Sequence, residues 1–330
     1  MKFVDGWKWG AKREILTPSP VVLSGFITEW TVAGDVTART VTLPLYDDGT
    51  FNCTVDWGDG TAESTIASYN DANRIHVYAV DGTYEIEIQG NCPSWSFNDA
   101  GDKLKITDII NWGDDSVFGG FSYLFNGFYG CINLQSLGTG VIGISGTGCA
   151  TFNQSFMGCL LITTITTGLF DLHINVSTNG FAGTFYGWEE LTAIPIDLFR
   201  YNVLASGRAF VSTFSGCIKL ASVPEGLFEY NVLAIKNGFY RTFYGCNKLQ
   251  LNAWIFYASG DEDTRFLNQS PDFTSCFERT SFTGTQGTAP ALWDCSFGTG
   301  TEVSTDCFGG AGNSLTSLDN YASIPSGWRT

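Results

Sequence analysis

The chain has 330 residues, of which 44% are hydrophobic and 15% are charged, so it is long enough and apolar enough to fold and to contain two domains. Its 33 acidic residues against 17 basic ones give a formal net charge of -16, which disfavours nucleic acid and anionic membranes as partners because both carry negative charge. No apolar run approaches the ~18 residues that a membrane span needs, so insertion into a membrane is not expected.

Residues 1–20 are predicted to form an N-terminal arm and linker. They contain Trp7 and Trp9 and end in a stiff Thr-Pro-Ser-Pro sequence at 17–20. The arm either docks on a larger assembly or folds back onto its own domain. It lacks the apolar core of a signal peptide, so the expectation is a chain without an export signal of its own.

Residues 21–92 alternate apolar and polar side chains, which is typical of half-buried strands. Asp-Gly pairs, which favour hairpin turns, separate the alternating segments. The pattern predicts a small antiparallel β-sandwich. Its expected strands are residues 41–45, 51–56, 75–78 and 84–88.

The sequence Val-Asp-Trp-Gly-Asp-Gly-Thr at 55–61, followed by His76 and Tyr78, resembles the polycystic-kidney-disease (PKD) type of immunoglobulin-like module. In that family the Trp-Gly-Asp-Gly stretch forms a tight turn beside the central tryptophan. The resemblance implies a spacer module, or one that binds polysaccharide. Asp56 and Asp59 raise the question of a calcium site, but the loop lacks the length and the alternating acidic ligands of a calcium loop, which favours a structural role in the turn.

Residues 93–123 are predicted to join the two domains and to cap the second one. Residues 103–112 are interpreted as an irregular first unit, because the first apolar face of a repeat array would otherwise meet water.

Residues 124–330 carry a repeat of about 29 residues, which becomes irregular after residue 250. A period in the twenties with apolar residues at fixed offsets predicts a solenoid in which each phenylalanine stacks on the next and forms a structural ladder. Trp188 replaces the cysteine in one repeat. The ladder residues are Phe156, Phe185, Phe214, Phe243, Cys159, Cys217 and Cys246.

The repeat Phe-x-x-Thr-Phe-x-Gly-Cys-x-x-Leu-x-x-Ile-Pro-x-x-Leu-Phe resembles the cysteine-containing leucine-rich repeats of BspA-like bacterial surface proteins, which also occur in proteins of bacteriophages and prophages. The expected fold class is mixed β with short helices. Within one unit, residues 191–195 are predicted to form a short parallel strand. Short helical turns are predicted at 198–199 and 210–214, where aromatic rings recur at i and i+4.

The cysteines at the shared repeat position are expected to be reduced, because a bridge would not tolerate Trp188 there. They are Cys131, Cys159, Cys217, Cys246 and Cys276. Asn202 and Asn231 are predicted to form a side-chain ladder that binds loop backbone, with His173 as its odd member. The sequence contains no Cys-x-x-Cys and only two histidines, so neither a metal site nor a cofactor is expected.

No Ser-His-Asp or Cys-His arrangement is readable, so the chain is interpreted as non-enzymatic. Paired carboxylates for glycoside cleavage stay open, because their separation is not visible in sequence. The resemblance implies a surface-displayed recognition or adhesion protein. A phage virion component, located in a capsid decoration, tail or fibre, reconciles a surface architecture with the expected lack of an export signal.

In this interpretation the N-terminal part binds virion or surface assembly proteins, and the solenoid contacts host-surface glycan or protein. The alternatives are a purely structural virion protein and a bacterial surface adhesin, and self-association is left open. Exposed strand positions of the repeats and two nearby lysines are the predicted binding face. These residues are Thr164, Ala193, Lys219, Ser222, Lys248 and Gln250.

Overall fold

The computed structural model describes residues 24–234, 236–261, 263–279, 286–309 and 315–329. The predicted arm, residues 1–20, lies outside these ranges. Within them the regular secondary structure is β, and none of the helical segments is long and apolar enough to cross a bilayer. Those segments are single 3-10 turns at Ala72–Arg74, Leu292–Asp294, Tyr321–Ser323 and Ser326–Trp328.

Seven strands occupy the first third of the described chain, and all of their pairings with one another are antiparallel. They are β1 (Phe26–Val32), β2 (Thr40–Thr42), β3 (Asn52–Asp56), β4 (Ser64–Ile66), β5 (Ile75–Val77), β6 (Gly82–Asn91) and β7 (Ile106–Asn111). A five-stranded sheet has the order β4-β3-β6-β1-β7, and β2 and β5 form a separate pair. The strands predicted at 51–56, 75–78 and 84–88 are confirmed as β3, β5 and β6. The strand predicted at 41–45 is present only in part, because β2 ends at Thr42.

The alternation places one face of each strand in the interior. In β1, Phe26, Trp30 and Val32 are buried, and β6 buries Ile86 and Ile88. Successive side chains of a strand point to opposite faces, so an apolar residue at every second position commits one face to the protein interior. The sheet therefore contributes one side of a continuous apolar core.

Strand β7 lies in the segment predicted to join and cap the domains, and it is bonded on both sides. It pairs antiparallel with β1, with Thr28 opposite Ile109. On its other side the Ile109 N–H donates to the carbonyl of Ser136 at 3.2 Å, and Asn111 forms a parallel bridge with Thr139. One strand thus connects the antiparallel sheet to the repeats by hydrogen bonds.

Beyond residue 124, equivalent side chains of successive repeats lie against one another. The rings of Phe156 and Phe185 are 6.2 Å apart, those of Phe185 and Phe214 are 5.4 Å apart, and those of Phe214 and Phe243 are 5.5 Å apart. The rings are nearly parallel, with interplanar angles of 6° to 14°. The predicted stacking of these four phenylalanines is confirmed. Each buried aromatic pair adds about 0.5–1.5 kcal/mol beyond the area it buries.

The predicted short helical turns at 198–199 and 210–214 are wrong, because the structure has turns there and no helix. In the second segment, successive backbone N–H groups bond in turn to a carbonyl of the same segment and to a carbonyl of the next repeat. Thr213 donates to the carbonyl of Phe210, three residues back, whereas Phe214 donates to the carbonyl of Thr242 in the next repeat at 2.9 Å. In an α-helix every interior N–H would bond within the segment. Here half of them join one repeat to the next.

One residue with left-handed backbone lies between the two phenylalanines of each such segment. Ser212 has φ 53°, and the equivalent residues Gln154, Gly183 and Arg241 have φ 55°, 62° and 54°. Two phenylalanines four residues apart can therefore share the interior without a helix, because the positive φ between them closes a turn. We refer to residues 152–158, 181–187, 210–216 and 239–245 as the turn segments, and to their outer surface as the turn face.

The predicted strand at 191–195 is present only as a single rung of parallel pairing. Ala193 forms an isolated parallel bridge with Ser222. On one side of the rung the Leu191 N–H bonds locally to the carbonyl of Trp188, and on the other Pro195 has no N–H to donate. The pairing therefore cannot extend along the chain.

The recurring threonines and cysteines hydrogen-bond one repeat to the one before it. The hydroxyl of Thr213 donates to the carbonyl of Phe181 at 2.8 Å, and the thiol of Cys217 lies 3.4 Å from the carbonyl of Phe185. Trp188, in the cysteine position, donates its indole N–H to the carbonyl of Phe156 at 2.7 Å. The two side chains bond to equivalent buried carbonyls of the preceding repeat, which explains how tryptophan can replace cysteine at this position. All ten cysteines are buried, and none of them forms a disulfide bond.

Candidate functional site

The predicted binding residues lie together on an exposed row outside the turn face. Ala193 and Ser222 are bridged directly, and the Gln250 N–H donates to Ala221 in the same row at 2.9 Å. Thr164 belongs to the preceding repeat, and all four row positions are exposed. The side chains of Thr164, Ala193 and Ser222 are short, so this part of the row offers little with which to enclose a small ligand.

The two predicted lysines lie beside this row, and both are exposed. The Lys219 ammonium forms an ion pair with Glu190, with Nζ 2.5 Å from Oε2. No carboxylate of the described residues lies within 4 Å of the Lys248 ammonium. Lys219 is thus largely neutralised, and Lys248 is a single cation at the edge of the row.

The turn face carries a different feature, a polar hollow of about 530 Å³. Its volume falls in the range of about 300–1,000 Å³ that is typical of small-molecule sites. Three successive turn segments and the two chain segments leading into them supply its walls. The hollow is lined by Asn153, Gln154, Met157, Asn179, Ala182, Gly183, Tyr186, Arg208, Val211 and Ser212.

The hollow exists because the middle repeat has the smallest residues at two outward positions. Ala182 and Gly183 stand where the preceding repeat has Asn153 and Gln154. A Cβ built on Gly183 would meet only the flexible Cγ of Gln154, at 3.3 Å. The backbone there is left-handed, as it is at Gln154, so a side chain is compatible with this position and its absence leaves open space.

The side chains around the hollow are suited to binding a polar, ring-shaped ligand. Tyr186 is 41% exposed and offers a flat aromatic surface. The amides of Asn179 and Gln154 each carry both donors and an acceptor, and Arg208 adds a fork of N–H donors. An aromatic ring surrounded by planar polar groups can pack on the apolar side of a sugar and bind its hydroxyl groups.

Both aspartates of the loop at 55–61 accept hydrogen bonds from within the same domain segment. Asp56 accepts a hydrogen bond from the N–H of Gly58 at 2.9 Å. Asp59 accepts from the hydroxyl of Thr61 at 2.6 Å and is bonded to Nε2 of His76 at 2.7 Å. Burial alone would raise the pKa of Asp59, but the hydrogen bonds from Thr61 and His76 outweigh it and lower that pKa. These contacts confirm the structural role predicted for the two carboxylates.

His76 also stacks on Trp57, with ring centroids 4.8 Å apart, and Tyr78 donates its hydroxyl to the Trp57 carbonyl at 2.8 Å. The loop is therefore held by its own aromatic residues. Among the described residues, no group of three or more histidine, cysteine, aspartate or glutamate side chains is arranged to hold a metal ion.

The second histidine belongs to the predicted polar ladder, which is confirmed. The amide of Asn231 donates to the carbonyls of Phe199 and Asn202, both at 3.1 Å, and Asn202 does the same one repeat earlier. His173 continues the ladder, with Nε2 3.0 Å from the carbonyl of Ile142. Burial lowers the pKa of His173 to about 4. Both histidines are thus engaged in structural hydrogen bonds.

Sequence reasoning missed the turn-face residues of the hollow. Tyr186 and Arg208 look like ordinary surface residues in the sequence, and the turn segment was interpreted as a helix, which would have put its outward positions in other directions. The available signal was the departure of Ala182 and Gly183 from the larger residues of neighbouring repeats. No family model, no curated protein and no solved structure matches this chain.

Proposed function

We propose that this chain is a non-enzymatic recognition protein that binds a host-surface glycan in the hollow of its turn face. In this proposal the repeats form a leucine-rich solenoid of the BspA-like kind, residues 21–92 are a PKD-like module that mounts it, and the whole is a component of a bacteriophage virion surface. The N-terminal part contacts other virion proteins. The virion assignment rests on the resemblance of the repeat to arrays that also occur in proteins of bacteriophages and prophages, and the role of residues 21–92 as a mount rests on the resemblance of the loop at 55–61 to PKD modules.

The hollow is the observation that carries the proposal. It combines an exposed aromatic ring, Tyr186, with three amides and a guanidinium around one open hollow. Such a lining offers a ligand a concave surface and several hydrogen bonds. The exposed row of Thr164, Ala193 and Ser222 offers no comparable set of aromatic and polar groups, so we assign recognition to the turn face.

The test compares binding of the full chain and of two matched variants to polysaccharide prepared from the cell surfaces of a panel of bacteria. Gly183→Gln fills the hollow with the side chain that the preceding repeat carries at Gln154, in the same left-handed conformation. Ala193→Gln adds the same amide to the exposed row. We expect Gly183→Gln to abolish binding to the polysaccharide that the wild type binds, and Ala193→Gln to leave it unchanged.

Three results would contradict the proposal. Retained binding by Gly183→Gln would show that the hollow is not used. Loss of binding in Ala193→Gln alone would move recognition to the row predicted from the sequence. Absence of wild-type binding across the panel would remove the glycan-binding function itself. Near-identical thermal unfolding of the three proteins is the control for folding.

A purely structural role in a virion is the second candidate, and an exposed apolar strip favours it. Three successive repeats place apolar side chains side by side, each 37% to 55% exposed, and contiguous apolar surface of this kind often marks a protein interface. The strip consists of Leu172, Ile174, Tyr201, Val203, Leu204, Tyr230, Val232 and Leu233. If the strip mediates assembly, Val203→Asp lowers the mass measured by light scattering, whereas Gly183→Gln does not.

A further inference from the structure

The lining of the hollow contains a cation and no carboxylate. None of the ten lining residues is aspartate or glutamate, and one, Arg208, is a cation. The chain as a whole has a net charge of -16, so the positive charge of this lining is opposite in sign to that of the protein.

The Arg208 guanidinium is available to a ligand. Its side chain is exposed, and among the described residues no carboxylate lies within 4 Å of it. By contrast, Arg200 in the same repeat is paired with Asp197 at 3.4 Å, and Lys219 is paired with Glu190. Arginine binds carboxylate and phosphate through two parallel N–H donors, which neutral groups match less well.

Two further cations lie on the next repeat at the side of the hollow. The Ser212 N–H, in the hollow wall, donates to the carbonyl of Tyr240, and Arg241 follows directly. The Arg241 guanidinium lies over the rings of Tyr240 and Tyr244, 5.2 Å and 4.9 Å from their centroids, which holds it in place. Lys236 occupies the position of Gly207, the neighbour of Arg208, 29 residues later.

We infer that the ligand of the hollow is a negatively charged saccharide, a sugar that carries a carboxylate or a phosphate and that pairs with Arg208. This inference rests on the proposed function and narrows it to a chemical class. Tyr186 packs against the sugar ring, the amides bind its hydroxyl groups, and Arg208 binds the charged group. The net charge of -16 repels polymers with a high density of negative charge at long range. We therefore expect the ligand to be a sugar with isolated negative charges.

The test measures calorimetric affinity of the full chain for galacturonate, which carries a single carboxylate, and for its methyl ester at 150 mM salt. The two probes share the sugar ring, and the ester replaces the charged carboxylate by a neutral group with one added methyl. A second pair, mannose 6-phosphate and mannose, separates phosphate from carboxylate recognition. We expect the charged member of one pair to bind about tenfold more tightly or better, the range of a charge-assisted hydrogen bond. Arg208→Gln removes that preference. Lys248→Gln, which changes a cation beside the exposed row of Ala193 and Ser222, leaves it intact.

The outcomes separate this inference from the proposed function. Equal affinity for the charged and neutral members, with both lost in Gly183→Gln, overturns the charge preference and leaves glycan binding in the hollow standing. A preference that persists in Arg208→Gln overturns the assignment to that residue. If neither pair binds although cell-surface polysaccharide binds and Gly183→Gln blocks it, the ligand class is wrong and the site is right.

Discussion

Replacing His173 by asparagine should make the protein less sensitive to acid. His173 is fully buried, with Nε2 3.0 Å from the carbonyl of Ile142 and Nδ1 accepting the N–H of Cys149 at 2.9 Å. This is the neutral tautomer with its proton on Nε2. A second proton on Nδ1 would face the N–H of Cys149. Asn202 and Asn231 show that asparagine is accepted at the equivalent position of later repeats.

The magnitude follows from the pKa of His173, which burial lowers to about 4 from its usual 6.5, against the opposing effect of the carbonyls of Ile142 and Gly143. Above pH 6.5 both the folded and the unfolded imidazole are neutral. As the pH falls below 6.5, the unfolded chain takes up a proton that the folded chain cannot, so stability is lost until about pH 4. At ~1.4 kcal/mol per pH unit, the loss is about 2 kcal/mol by pH 5 and about 3 kcal/mol by pH 4.

The assay is urea unfolding of wild type and His173→Asn at pH 7, 6, 5 and 4, followed by tryptophan fluorescence. The quantity compared is the change in unfolding free energy with pH, because removing the ring contact with Phe152 also affects stability at neutral pH. His76 and all carboxylates remain in both proteins, so the difference between the two pH profiles reports His173. Parallel profiles from pH 7 to pH 4 would refute the reasoning.

Three further predictions concern stability. All ten cysteines are buried, so a thiol reagent such as DTNB should label almost none of them before the chain unfolds, and rapid labelling of one would contradict the structure. Gly187→Ala should lower the free energy of unfolding by about 1 kcal/mol, because φ is 75° and no atom lies within 4 Å of the new Cβ. Gly120→Ala should lower it several times more in urea unfolding, because its Cβ would lie 2.3 Å from backbone atoms. Lys219→Met should change stability by less than ~1 kcal/mol in the same assay, because its pair with Glu190 is exposed, and a larger loss would contradict this.

The buried part of the repeats was predictable because it recurs. Several units carry a phenylalanine, a threonine and a cysteine at fixed offsets. This recurrence indicates that the side chains at one repeat position pack against, or hydrogen-bond to, the neighbouring repeat. The hydroxyl of Thr213 on the carbonyl of Phe181 is an example. The alternating strands of residues 24–91 were predictable for a similar reason, since a period of two fixes which face is buried.

The backbone of the turn segments was not predictable from the same pattern. Phe210 and Phe214 are four residues apart, as on one face of a helix, and Thr213 between them is also buried. The ring spacing alone cannot distinguish a helix from consecutive turns. The contrary signal was a glycine at the end of every turn segment, at Gly158, Gly187, Gly216 and Gly245, because glycine is a poor helix former.

The turn face can vary without disturbing the interior, which is why we place recognition there. Residues at the left-handed position, such as Gln154, Gly183, Ser212 and Arg241, differ in size and charge while their φ angles stay between 53° and 62°. Their backbone bonds to the next repeat involve N–H and C=O groups only, so side-chain identity does not enter. In the row around Ala193, one rung of pairing holds neighbouring side chains close together. A new ligand specificity therefore needs fewer compensating changes on the turn face than on the row.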